Sequence, residues 1–413
     1  MDDQNAKENF KAPAELDRFQ VLALGVGVIG MLALIAGAFL GFGGLEQALR
    51  SYLLGYIFWT GIAVGCIGIL ILQHLTGGSW GLVIRRILEA GAKTWWLLLL
   101  MFLPIMFGAT RIYEWAAYQA EGHSGSGIDK ILDHKAAYLN INFFSARAIL
   151  YFLTWGAITY FLTKWSQQQD ETGDWKLSSS MNRFSGPAMI AFVVAVTFAA
   201  IDWTMSLDPH WYSTMYGLLF VIGFALSSMA FVIAVSAWLA GREPMNHVLG
   251  APHFHDLGKL MLAMTMIWGY FNLSQLIIIW SGNLPEETPW YLRRTEGSWG
   301  IVGLLLVLLH FALPFLLLLS QDIKRRSKWL ATIAVFVLVM RVVDLFYLIA
   351  PNPNAHGEPI YKNFNLSWMD LVAPLAVGGI WLAAFIWFYK QRPIMPYNDP
   401  FFENAVAHGV EHH

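Results

Sequence analysis

The chain has 413 residues, 57% hydrophobic and 13% charged, with a mean hydropathy of +0.50. A soluble domain carries nearly twice that charged fraction, so composition excludes a soluble globular enzyme. A net charge of −2 excludes the basic excess of a nucleic-acid binder, and the single cysteine, Cys66, excludes an intramolecular disulfide or a cysteine-ligated cluster or zinc site in this chain.

The apolar residues fall in blocks of about 20, the length that crosses ~30 Å of hydrocarbon as a helix. In chain order they predict ten transmembrane helices, at 19–41, 53–75, 93–113, 145–165, 184–207, 212–240, 257–281, 299–320, 329–350 and 368–390. The expected class is an all-α polytopic membrane protein, because a helix satisfies its own backbone in lipid. Residues 1–18 are mixed in charge and no cleavable signal is expected. "GFGG" at 41–44 reads as a turn.

Ten spans place both termini on one side. Lysines and arginines of the terminus-side segments number 17, from Lys7 to Arg392, against 8 on the other side. This bias predicts cytoplasmic termini. Span two carries Gly55-x5-Gly61 and span six Gly217-x5-Gly223, while span five carries Asp202-x6-Pro209 and span nine Asp344-x6-Pro351. Each pair is four helices apart. The spacings predict two parallel four-helix bundles, spans 2–5 and 6–9, with spans one and ten flanking them. The chain then divides into an N-terminal segment (1–18), a first flanking helix and loop (19–52), bundles at 53–207 and 208–350, a loop and second flanking helix (351–390), and a C-terminal tail (391–413).

Ionisable groups inside spans carry the information, since each is costly in lipid unless paired or wet. Asp202 lies roughly 10 Å outward of the middle of span five at ~1.5 Å per residue. Its nearby sequence supplies no cation, so it reads as a protonated carboxyl with a raised pKa, with Ser206 and Tyr212 as candidate partners. Asp208 and His210 follow at the outer edge, where Asp208-Pro209 also reads as a helix stop. Arg341 and Asp344 share a face of span nine, as either a proton site or a structural ion pair. His310 is near the middle of span eight, as either a proton-exchanging group or a packing residue. Asp370 enters span ten from the outer surface, Arg111 and Glu114 close the outer end of span three, and His74 ends span two. Paired axial histidines for haem b are not found. His247, His253 and His255 read as a solvated loop, and "AHGVEHH" as a tail. Trp203, Trp211 and Tyr212, beside Asp202 and His210, meet the description of an apolar quinone slot with polar groups at its rim.

Ten spans in two bundles resemble the polysulfide-reductase/NrfD-like membrane proteins. Within that group "MNRFSGPAMI", "AIDWTMSLDPHWYSTMYG" and "QLIIIWSGNLPEETPWY" resemble the F-subunit family of alternative complex III, the bacterial quinol:electron-acceptor oxidoreductase. The resemblance covers nearly the whole chain. It implies a non-catalytic or auxiliary subunit that binds no haem, cluster or metal itself and meets menaquinone or another quinone. Its implied partners are a paralogous NrfD-like membrane subunit, an iron–sulfur subunit, multihaem and monohaem cytochromes c, small membrane anchors and lipids. The role it implies is proton conduction through half-channels, with Asp202, Asp208, His210, His310, Arg341, Asp344 and Asp370 as the expected pathway and a secondary quinone pocket at Trp203, Trp211 and Tyr212. A purely structural scaffold and a stand-alone secondary transporter are the alternatives.

Overall fold

The computed structural model describes residues 10–40, 44–358 and 363–410. Positions 41–43 of the expected turn, Lys7, Lys362 and the last three residues lie outside them. Among the described residues ten helices are long and apolar enough to cross a membrane: Glu15–Phe39, Gly44–Thr76, Arg85–Phe107, Ile141–Thr172, Lys176–Leu207, Tyr216–Leu239, Ala251–Gly282, Gly297–Leu319, Ser327–Ile349 and Trp368–Lys390. The chain is an all-α polytopic membrane protein.

Helix neighbours close two rings. Spans two, three, four and five pack in sequence, and span five returns to span two; spans six to nine do the same. The rings meet where span two lies along span six, flanked by contacts of five with six and of two with nine. Span ten packs on spans one and two. Span two is therefore the centre of the molecule, and its most apolar window is 94% buried, against 17% for span one.

The glycines of the two central helices explain their close approach but do not repeat. A Cβ at Gly61 would meet the Phe224 ring of span six at 2.6 Å, and one at Gly65 the Phe224 carbonyl oxygen. Gly55 faces Ala373 of span ten, Gly217 faces Thr197 of span five, and Gly223 faces the Arg341 guanidinium of span nine. The doubled Gly-x5-Gly spacing thus serves different partners in each ring.

Several helices run past their apolar core. Span three begins at Arg85, eight residues earlier than expected, and is interrupted after Ala92 before resuming at Trp95. Spans four and five are joined at Gly173, whose φ of +65° is open to glycine without strain. Span eight contains a π-helical turn, Leu306–Ala312.

The first and last described segments lie on one face. The Ile394 N–H donates to the Phe10 carbonyl at 2.9 Å, and Lys390 pairs with Asp17. The C-terminal segment is not simply a solvated tail. Phe402–Val410 is a helix, and Gly409 packs against Gly250 and the buried His253 ring. His253 and His255 are on the span-seven helix rather than in a loop.

Candidate functional site

Asp202 is fully buried near the end of span five that faces away from the termini. It has a cation after all, and the expectation of an unpaired carboxyl is corrected. From span four, Arg147 donates through Nε to Oδ2 at 2.8 Å and through Nη2 to Oδ1 at 2.9 Å. Tyr151, one turn further along span four, donates to Oδ2 at 2.6 Å. The remaining guanidinium nitrogen, Nη1, donates to the Tyr138 carbonyl at 2.9 Å, and the group lies 3.8 Å over the Tyr138 ring. Two-point pairing and a phenol leave this carboxylate well satisfied, and satisfied pairs are how charges persist in lipid. Ser206 is close, as expected, but its hydroxyl donates to the Asp202 backbone carbonyl at 2.5 Å.

The other ring holds its cluster differently. Arg341 pairs with Asp344 within span nine, and its Nε donates to Ser227 of span six at 3.3 Å. Gly223 makes room for that guanidinium. His310 sits in the π-helical turn of span eight with its ring edge-on to Trp268 at 4.2 Å. It is fully buried, and neither ring nitrogen has a hydrogen-bond partner among the described residues. Single-turn π segments often mark functional positions, because they rotate one side chain out of helical register.

The surface groups do not continue from Asp202 as a row. Asp208 pairs with Arg293 of the short helix Thr288–Thr295. His210 faces Glu114 at 3.4 Å and Asp129 at 3.3 Å. These three place one ligand atom each within 4.8 Å, a group able to hold a metal ion. The bond to Glu114 raises His210 above the ordinary imidazole range. The charges of Glu114, Asp129 and Asp208 reinforce it against the lowering effect of partial burial. Imidazolium between two carboxylates is the state this favours. Arg111 and Glu114 are not one helical pair, since the backbone turns extended at Tyr113. Asp370 caps its own helix: the Ser367 N–H donates to Oδ2 at 2.9 Å, and Ser51 and Gln47 donate to Oδ1.

The expected quinone slot comes apart. Trp203 is buried in an aromatic cluster with Phe102 at 4.8 Å and Phe152 at 5.8 Å. Trp211 stacks on Trp290 at 4.3 Å, and Tyr212 is half exposed. Trp211 and Tyr212 do line a cleft of about 330 Å³, with Tyr138, Ser206 and Asp208. Two of its donors are engaged, Ser206 on the Asp202 carbonyl and Lys135 on the Pro209 carbonyl at 2.5 Å, while the Trp211 ring N–H has no partner among the described residues. The cleft therefore keeps two of the three expected residues, without Trp203.

Sequence reasoning missed a third cluster, at the terminus face. Arg86 bonds Glu89 at 2.6 Å, Ser166 at 3.0 Å and the Asp170 carboxylate. Arg85 bonds Asp399 at 2.8 Å and Gln169 at 3.3 Å. Arg392 stands 4.0 Å from Glu89. The available signal was Arg86 and Glu89 three apart with Lys93 four further on, one helical face that had been read as loop. Arg147 and Tyr151, four apart on span four, were the corresponding signal for Asp202.

No protein-family model and no curated protein matches the chain. Roles for these residues rest on their geometry.

Proposed function

We propose that this chain is an integral membrane subunit of a quinol-oxidising respiratory complex of the alternative complex III type, contributing proton-conducting half-channels while partner subunits carry the haem c and iron–sulfur centres. Its orientation in this reading puts both termini in the cytoplasm of a bacterial cell. The observation that carries the reading is a buried acid–arginine cluster in each helix ring: Asp202 with Arg147 and Tyr151, and Asp344 with Arg341 beside His310. Burying such groups is costly, and intramembrane ionisable residues are by default functional candidates.

In chemical terms, the Asp202 carboxylate is the proton acceptor and Tyr151 the hydroxyl that already touches it. A proton arriving on Asp202 removes the charge that holds Arg147. The guanidinium keeps its bond to the Tyr138 carbonyl and its place over that ring, so it is not stranded. A scaffold reading is favoured by one specific observation: the two-point Arg147–Asp202 pair is also what a structural lock between spans four and five requires.

Isolation of the full-length protein from its native membranes tests the assignment. The reading expects cytochrome c and iron–sulfur subunits to co-migrate with it and the assembly to oxidise a quinol. A chain that migrates alone, with no redox partner, overturns it.

A further inference from the structure

Span four carries one polar row along its length. Arg147, Tyr151, Trp155, Thr159 and Thr163 follow at intervals of four, and Ser166 and Asp170 continue the row. Residues three or four apart are neighbours on a helix, so each member lies beside the next while the row winds round span four by about 40° at each step of four. Every member is buried, while Leu150, Leu153 and Tyr160 are exposed. From Arg147 to Asp170 the helix rises roughly 35 Å, more than the ~30 Å of hydrocarbon.

The row joins two acid clusters. At one end stands Asp202 with Arg147 and Tyr151; at the other, Arg86 bonds Ser166, Asp170 and Glu89. Glu89 is 3% exposed, and its Oε1 has no hydrogen-bond partner among the described residues. Midway, the Thr159 hydroxyl and the Trp155 N–H are likewise buried without partners. Orphaned polar groups in such a place are where ordered water binds. Both ends meet the surface: Tyr138 and Ser206, which flank Asp202, line the 330 Å³ cleft, and Asp170 is 12% exposed at the terminus face.

The second ring has no counterpart. Among the described residues Asp344 is the one buried acid of spans six to nine.

We infer that the first helix ring holds a complete transmembrane proton route, running along span four between Asp202 and the Arg86–Glu89–Asp170 cluster, and that the second ring does not conduct across the membrane. This rests on the proton-conducting reading and makes the two rings unequal, against the symmetry of two half-channels.

Full-length protein in sealed vesicles, with an imposed pH gradient and a pH dye inside, tests it. Thr159→Val removes a hydroxyl and keeps shape, and Glu89→Gln leaves Arg86 paired with Asp170. Each is expected to lower proton flux at least tenfold, and Thr159→Ser to restore it. Ser236→Ala, which removes from span six of the second ring a buried hydroxyl with no partner among the described residues, is expected to leave flux at the parent value. A melting curve for each variant separates lost flux from lost fold. Parent-like flux in Thr159→Val and Glu89→Gln, or loss in Ser236→Ala, overturns the inference while leaving conduction intact. Parent flux no greater than that of empty vesicles overturns the proton-conducting reading itself.

Discussion

Arg147 decides what Asp202 is able to do. With the guanidinium removed, a buried carboxylate loses two of its three hydrogen bonds. Breaking one side of a buried pair costs about 3–5 kcal/mol, whereas removing both sides is far milder. Arg147→Leu is expected to lower stability by that amount in chemical denaturation, and Arg147→Leu with Asp202→Leu to recover much of it; a double-variant loss equal to the sum of the two single losses would show the pair is not coupled. Asp202→Asn alone is not a clean probe of proton transfer, since the amide nitrogen cannot accept the second Arg147 bond and so removes a contact as well as a titratable group. At the surface, His210 gives a pH signature. Its pKa is raised in the folded protein, so its contribution is complete below the ordinary imidazole value near 6.5 and is lost as pH rises through the raised value. Hydrogen exchange in the 208–215 loop is therefore expected to quicken with pH above that window, beyond the intrinsic rate, and not in His210→Ala.

At the scale of elements, hydropathy located every span, because twenty apolar residues have few alternatives in a chain this poor in charge. It misplaced the start of span three for a physical reason. Arg85, Arg86 and Glu89 read as surface, yet partners on span four and the C-terminal segment bury them. Pairing across helices is invisible to a sliding window. The π-helical turn around His310 was equally hidden, since its sequence is uniformly apolar. Packing at Gly223 gives a direct check. A Cβ there would lie 2.4 Å from Nη2 of Arg341, which is pinned to Asp344. Gly223→Ala is expected to destabilise by about 1–3 kcal/mol through overpacking. Gly186→Ala, with nothing within 4 Å of its Cβ, is expected to be neutral or slightly stabilising, as alanine is in a helix. Equal melting temperatures for the two variants would contradict the packing account.

For the whole molecule, two rings share a central pair of helices, and the C-terminal segment crosses the terminus face, where Asp399 pairs with Arg85 of span three and Arg392 bonds the Thr163 carbonyl and Gln167 of span four. The two four-helix groups were expected from the doubled glycine and aspartate spacings, and the glycines serve different contacts in each ring. The inequality of the rings was not legible, because it depends on which buried acids find cations on neighbouring helices. The proposed orientation rests on charge bias and has its own check. Cys66 is buried and gives no background, so Tyr212→Cys, on a half-exposed residue, is expected to react with an impermeant thiol reagent from outside the cell. Reaction only after the membrane is opened would invert the topology. The central claim is that buried acids of this chain carry protons in a quinol-driven complex. Protons moved per electron by the assembled Glu89→Gln complex in sealed vesicles test it most directly. The account predicts intact quinol oxidation with fewer protons moved. A ratio equal to the parent, in an assembled and turning-over complex, would contradict it.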